Sequence, residues 1–315
     1  MDKIAVIIPC YNEEKTIAKV VKDYKKALPE ATIYVFDNNS TDKTAELAKK
    51  AGAEVHYEYK QGKGNVIRNM FRTIDAECYL MIDGDDTYSA KNAREMCDAV
   101  LSRDADMVVG DRLSSSYFTE NSRHFHGFGN VLVRWLINHI YHSDIRDVMT
   151  GYRAFSYRFV KTFPVISKGF EIETEMTMHA LDKNLNIENQ IIGFQDRPEG
   201  SESKLNTIKD GTRVLKTIVN FYKNYKPFRF FMLLALLFAI IATILLIPVL
   251  IDYAETGLVP KIPTFLASVF FYLCMIQSFF GGLILQNTTE KARQQFEISL
   301  NQCEHDFKEF RRKTH

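Results

Sequence analysis

Residues 78–86, Cys-Tyr-Leu-Met-Ile-Asp-Gly-Asp-Asp, decide how this chain is read. The apolar run Cys78–Ile82 has the length of a buried strand, and three carboxylates follow at its C-terminal end. Burying one carboxylate beside another is unfavourable without a cation. The turn therefore predicts a divalent metal site, Mg²⁺ or Mn²⁺, with Asp83 and Asp85 as ligands. A lone D-x-D turn is common on surfaces, and its place behind an apolar strand is what singles this one out. From the sequence alone Asp86 can stand in for Asp85.

Outward from that stretch, β-rich apolar runs recur at 3–9, 32–37, 54–58 and 106–110, separated by helical patterns near 13–28, 42–51, 63–74 and 90–102. Such a βαβα rhythm predicts a mostly parallel sheet with helices on both faces, with ligands at the C-terminal strand ends. Pro9-Cys10-Tyr11-Asn12-Glu13, Asp37 to Asp42, the DGDD turn and Gly110-Asp111-Arg112 would then share one rim. Asp37 is placed to accept the imide N–H of a uracil ring with Tyr11 stacked on it. The plainer alternatives are an Asx-turn or helix cap for Asp37 and a core aromatic for Tyr11. No G-x-G-x-x-G follows the first strand and no G-x-x-x-x-G-K-[ST] occurs, which disfavours dinucleotide and P-loop folds. A nucleotidyltransferase would open with a glycine-rich, arginine-containing loop where VIIPCYNEE stands.

After Arg112 the rhythm breaks. Residues 113–126 form a polar loop with aromatics and histidines, like a lid or acceptor loop, in which His124 and His126 make an H-x-H beside Arg123, read as a polar loop or phosphate contact over a second metal site because no further ligand set is found. Helices are expected over Gly129–Tyr141 and Glu171–Asp182. On the second, Glu171 and Glu175 can share a face, which either brings one of them to the sugar hydroxyls or is simply solvated. Residues 197–204 form another polar loop.

The net charge of +1 over 315 residues gives no reason to expect nucleic acid. The five cysteines are scattered without C-x-x-C spacing and are expected to be reduced. The N-terminal apolar stretch is too short for a signal peptide. A mean hydropathy of −0.17 conceals a split. Phe230–Ile251 and Thr264–Leu285 are each 22 residues without a charge, enough to cross a hydrocarbon core of about 30 Å. Lys216, Lys223, Lys226 and Arg229 precede the first and Lys291 and Arg293 follow the second. The loop Asp252–Pro263 holds only Lys261 against Asp252 and Glu255, so both termini are expected on the cytoplasmic side. Between Asn206 and Tyr225 the apolar residues keep mainly to one stripe, as in a helix lying among headgroups. Beyond the second span, Phe296, Leu300, Cys303, Phe307 and Phe310 form a helical stripe, either a seam between subunits or a tail lying on the membrane or the domain.

VIIPCYNEE (6–14), DNNSTDKT (37–44), QGKGNVIRN (61–69), DGDDTY (83–88), VGDR (109–112), DVMTGYRAF (147–155) and RPEGSESKL (197–205) together resemble family 2 glycosyltransferases. The nearest branch looks like the polyprenyl-phosphate type, the dolichyl- and undecaprenyl-phosphate glycosyltransferases. The resemblance implies an α/β GT-A fold, Rossmann-like with a mostly parallel sheet, over residues 1–205. An amphipathic juxtamembrane helix (206–229), two transmembrane helices with a short extracytoplasmic loop (230–286) and a cytoplasmic helical tail (287–315) would follow. It implies inverting transfer of a hexose from UDP-glucose or UDP-GlcNAc to undecaprenyl phosphate, for modification of cell-envelope glycans. The enzyme would be a multi-pass protein of the plasma (inner) membrane with its catalytic domain on the cytoplasmic face, with a dimer or tetramer as the oligomer to look for.

Carried over residue by residue, Pro9, Tyr11, Glu13, Asp37 and Lys63 would bind the donor, and Asp83 and Asp85 the metal on its diphosphate. Asp147 and Asp85 would be the catalytic carboxylates. Arg112, Arg123 and Ser203 would face the acceptor phosphate, while Arg197 and Lys204 would close on the donor. The chain departs from the family pattern in having DGDD for D-A-D and GDR for G-S-R, the second of which puts Asp111 beside Arg112. Two other functions fit the same residues: elongation of a lipid-linked glycan, and a non-catalytic membrane scaffold that binds sugar nucleotides.

Overall fold

The computed structural model describes residues 1–114, 127–169, 171–195, 223 and 225–314. The chain forms two compact units, residues 1–210 together with 298–315, and residues 211–297. The first is built on a seven-stranded sheet: β1 Asp2–Cys10, β2 Thr32–Asp37, β3 Glu54–Tyr57, β4 Ala76–Met81, β5 Met107–Asp111, β6 Arg153–Ser156 and β7 Ile187–Ile191. Their spatial order is β3-β2-β1-β4-β6-β5-β7. The five expected strands are all present, within two residues at either end. β6 and β7 were not anticipated: β6 is only four residues long, and the edge strand β7 is half exposed and largely polar, without an apolar signature.

Every strand pairing is parallel except those of β6, which runs antiparallel to β4 and β5. That inversion matters for function. Because Met81 at the end of β4 pairs with Arg153 at the start of β6, the DVMTGYR turn enters at the catalytic rim.

Alternation along the central strands fills both faces. Ile4, Val6 and Ile8 of β1 pack on one side with α1 (Ile17–Ala27), α2 (Thr44–Lys50) and α4 (Ala93–Ser102). Ala5 and Ile7 pack on the other with α3 (Lys63–Thr73), α6 (Tyr157–Thr162) and α7 (Ile172–Asp182). α5 (Gly127–Tyr141) precedes the turn that leads to Asp147. α1 shows why these segments are helical: Ile17, Val20, Val21 and Tyr24 are buried at helical spacing, and Lys25 and Lys26 complement the dipole in the last turn.

The second unit holds α8 (Pro227–Thr256) and most of α9 (Ile262–Thr314), both long and apolar enough to cross a membrane. Proline opens α8, and Gly257, at φ 69°, ends it in the left-handed conformation. Ala235, Ala242 and Val249 are buried at intervals of seven. A Cβ on Gly282 of α9 would lie 2.9 Å from Phe231 Cβ of α8, so the pair packs closely through small residues. The end of α9 belongs to the first unit: Phe307 stacks on Tyr157 with ring centroids 4.8 Å apart, and Arg158 pairs with Glu304 at 3.4 Å. Phe307 of the C-terminal stripe thus lies against the chain's own first unit.

His179 of α7 sits edge-on to Phe159 and Phe163. Burial, then the Lys183 charge, pulls its imidazole from 6.5 down to about 4. A base lowered in the folded state stabilises the fold fully above the unfolded value, and that contribution is lost as pH falls from 6.5 toward 4. It amounts to about 3 kcal/mol. The thermal midpoint of the purified chain should therefore drop across this window, and His179→Leu should flatten the drop. Parallel pH profiles for the two proteins would contradict it.

Candidate active site

The DGDD turn separates its three carboxylates. Asp86, at φ 61°, turns away and pairs with Lys19 at 2.7 Å, so it does not replace Asp85. Asp85 is buried, and its Oδ1 accepts from the Thr87 hydroxyl at 2.7 Å and the Thr87 amide at 3.3 Å. Asp83 Oδ1 accepts from Lys63 Nζ at 2.6 Å, and the same ammonium lies 2.6 Å from Glu173 Oε1. Burial pulls Lys63 down, but the Asp83 and Glu173 carboxylates outweigh it and hold the ammonium above its ordinary value.

Gly151 of the DVMTGYR turn packs against Asp83. A Cβ there would meet Asp83 Oδ2 at 2.4 Å, so any larger residue would push the Asp83 carboxylate from its place. The Gly151 amide donates to the Tyr88 hydroxyl at 3.0 Å, fastening the turn to the residues just past DGDD.

The same turn carries Asp147, which is fully buried. Arg112 holds it with two bonds, Nε to Oδ2 at 2.7 Å and Nη2 to Oδ1 at 3.1 Å, and the Met149 amide donates to Oδ1 at 3.2 Å. Burial lowers the Arg112 guanidinium, but Tyr88 and Asp147 more than restore it and it ends above its usual range. Asp111 is directed elsewhere: its Oδ1 accepts from the Ser114 amide at 3.0 Å, and Oδ2 lies 4.0 Å from Arg146.

Beneath the turn Arg153 is wholly buried, donating to the Val148 carbonyl at 2.7 Å, the Thr150 carbonyl at 3.0 Å and the Thr177 hydroxyl at 2.9 Å. Burial lowers its guanidinium to about 10, against the pull of Glu173 and Asp147.

At the end of β2, Asp37 Oδ2 accepts from the Ser40 amide at 3.2 Å. Its Oδ1 is buried with no hydrogen-bond partner among the described residues. A cap-like bond three residues on, in place of the expected Asx-turn, and an available acceptor therefore coexist in one side chain. The neighbouring Asn38 donates to the Glu58 and Lys60 carbonyls and accepts from the Gly62 amide, tying the loop that delivers Lys63. Gly62, at φ 125°, has its Cβ position 2.3 Å from the Lys168 carbonyl oxygen, so no other residue fits that loop.

Pro9 is half-buried and precedes the buried Cys10 that ends β1, Tyr11 is half-buried, and the Glu13 amide donates to Thr44 Oγ1 at 2.8 Å. Burial raises the Cys10 thiol well above its usual value, and Glu13, Asp37, Asp83 and Asp85 add to the shift. The expected donor-side carboxylates thus surround one strand end. Arg123, Arg197, Ser203 and Lys204 lie outside the described residues, as do His124 and His126.

Of the two readings of the Glu171 and Glu175 face, contact with the site is not the one Glu175 takes. Glu175 accepts from the Ile166 and Ser167 amides, whereas the buried Glu173 reaches Lys63. Glu173, Arg153, Asn38 and Tyr88 were not picked out by sequence, because their importance lies in partners distant along the chain.

Among the described residues no three His, Cys, Asp or Glu side chains form a metal cage. Two carboxylates at a strand end, with glycine clearing one oxygen, fit an ion whose remaining ligands are diphosphate oxygens and water.

Residues 5–164 match the family model described as Glycosyl transferase family 2, and the chain belongs to that family. It is 61% identical to Protein RfbJ of Shigella flexneri over 109 residues, 35% of this chain and 84% of that one. It is 34% identical to the glycosyltransferase AglJ of Haloferax volcanii, covering 73% of this chain and 75% of AglJ. To the dolichyl-phosphate hexose transferase of the same organism it is 26% identical, over 69% and 93% of the two chains. Among solved structures, glucosyl-3-phosphoglycerate synthase of Mycobacterium tuberculosis superposes with a TM-score of 0.56 at 18% identity, over 70% of this chain and 80% of that one. That synthase has been crystallised with Mn²⁺, UDP-glucose and phosphoglyceric acid. The likeness establishes the GT-A-like fold, and the chain is a glycosyltransferase by family.

The different surroundings of the turn's carboxylates give a direct test. Asp85→Asn should lower kcat/KM by about 100-fold or more. Asp86→Asn, which loses only a pair with the exposed Lys19, should stay within about fivefold. Equal losses would refute the assignment.

Proposed function

We propose that this protein transfers a hexose from a UDP-sugar, UDP-glucose or UDP-GlcNAc, to a polyprenyl phosphate such as undecaprenyl phosphate. The product would be a polyprenyl-phosphate monosaccharide for cell-envelope glycan modification. The carrying observation is that the Asp83–Asp85 turn and the Arg112–Asp147 pair meet at one strand end, joined through Gly151 and Tyr88. One half suits a nucleoside diphosphate and the other an anionic acceptor. Similarity to a dolichyl-phosphate hexose transferase and the two apolar helices support a lipid acceptor.

On this reading Asp37 Oδ1 accepts the uracil imide N–H and Tyr11 stacks on the ring. Asp83 and Asp85 hold Mg²⁺ or Mn²⁺, which when bound supplies positive charge to the departing diphosphate. Lys63 adds charge from the protein side. An oxygen of the acceptor phosphate forms the bond to the anomeric carbon as the bond to UDP breaks, and UDP leaves with the electron pair. A phosphate monoester has its second pKa near about 6, so at neutral pH it is already mostly dianionic. It needs little deprotonation. Asp147, gripped by both arms of Arg112, therefore orients the arginine that receives the acceptor phosphate, with proton abstraction secondary.

The apolar pair would keep the enzyme at the plasma membrane, where a polyprenyl chain stays and offers only its phosphate. Confinement there raises the effective concentration of acceptor. Arg123, Arg197, Ser203 and Lys204 complete the proposed acceptor and donor contacts.

Membranes containing the protein, given undecaprenyl phosphate and a panel of radiolabelled UDP-sugars, should yield a lipid-linked monosaccharide from one of them. Product formed only on a lipid-linked oligosaccharide would favour elongation, and no product at all a binding scaffold. Asp147→Asn should lose about 100-fold or more in kcat/KM at every pH from about 6 to 9. Recovery of that loss with rising pH would restore Asp147 as a general base.

A further inference from the structure

The Lys63 ammonium lies between two acids from different parts of the fold, 2.6 Å from Asp83 Oδ1 at the end of β4 and 2.6 Å from Glu173 Oε1 on α7. All three are shielded, with side chains 11%, 26% and 6% exposed for Lys63, Asp83 and Glu173, so water screens the contacts poorly. The placement is enforced from both sides. Lys63 opens α3 directly after Gly62, and the Gly64 amide donates to the Lys168 carbonyl at 3.1 Å. The segment leading to α7 is in turn fixed by Glu175, which accepts from the Ile166 and Ser167 amides.

We propose that Lys63, braced by Glu173, is the built-in counter-charge of Asp83 and makes divalent-cation binding conditional on the donor's diphosphate. This rests on the donor reading of the Asp83–Asp85 turn and adds a binding order to it. A bare divalent ion approaching Asp83 meets an ammonium already on one carboxylate oxygen and is repelled by it. A diphosphate changes the balance because its oxygens take up both the ion and the ammonium. Lys63 then moves its charge from Asp83 to the phosphate, and Asp83 is released to the ion. Glu173 keeps the ammonium from leaving the site during the exchange. Cation and sugar nucleotide are thus coupled ligands, each tightening the other. Glu173 is a positioning residue, acting through Lys63.

The test uses the full-length chain in detergent, with free Mn²⁺ followed by electron paramagnetic resonance in the presence and absence of UDP. The wild type should bind Mn²⁺ weakly alone and more tightly with UDP. Lys63→Met should bind Mn²⁺ alone roughly tenfold more tightly, because a like charge a few ångströms away has been removed. Its tightening by UDP should largely vanish. Glu173→Gln leaves the ammonium to Asp83 alone, so Mn²⁺ without UDP should bind several-fold more weakly while UDP still tightens it. Lys63→Met with wild-type affinity and wild-type coupling overturns the inference. If that variant does not fold, as judged by its thermal midpoint, Glu173→Gln decides, and unchanged or tighter binding of Mn²⁺ alone overturns it. A wild type that binds neither Mn²⁺ nor UDP brings down the donor-site reading as well. A wild type that binds both, with variants that behave identically, brings down only the coupling.

Discussion

Charge removed from water has to be paired, and at the rim of this sheet that requirement organises everything else. Asp83 and Glu173 share Lys63, and Asp147 is held by both arms of Arg112. Arg153, fully buried, is balanced by hydrogen bonds to two carbonyls and a hydroxyl. The partners come from the ends of β4 and β5, the start of α3, the first turn of α7 and the turn before β6. Each pairing therefore ties together segments that the apolar core alone would leave free to shift. Removing one member would leave a buried charge uncompensated, which is far costlier than losing a surface pair.

The inverted strand makes that convergence possible. In a purely parallel sheet the segment after β5 would return to the rim only after another crossover. Because β6 runs against its neighbours, the turn at 147–152 is delivered straight to the end of β4, and Gly151 lets it press against Asp83. The site thus has two halves that meet at this turn. One holds Asp37, Asp83 and Asp85 around the buried Cys10 thiol. The other holds Asp147 and Arg112. On the proposed function one half would face the nucleotide donor and the other the acceptor phosphate, side by side at one strand end.

The C-terminal third follows a different physics. α8 and α9 expose rows of leucine, isoleucine and phenylalanine that would be unfavourable in water, while the small residues Ala235, Ala242 and Gly282 are kept for contact between helices. The end of α9 then turns polar enough to return to the catalytic unit, through an aromatic stack on Tyr157 and an ion pair with Arg158. Arg158 also binds Asp106, at the start of β5, so the tail is attached to the same strand whose other end carries Arg112.

The sequence by itself determined whatever is periodic or local: five strands, their intervening helices, the acidic turn behind β4, and two apolar helices of membrane length. These follow from alternation, helical spacing and runs of hydrophobic residues, which each segment carries within itself. β6 was hidden because four residues are too few to show a period, and β7 because its side chains are half exposed. Only the tertiary structure decided that Asp86 faces Lys19, that Glu173 and not Glu171 or Glu175 reaches the site, that Asp111 leaves Arg112 to Asp147, and that Arg153 props the turn from below. A carboxylate's role is set by the charge nearest to it. Where that charge lies dozens of residues away, only the folded chain brings the two together.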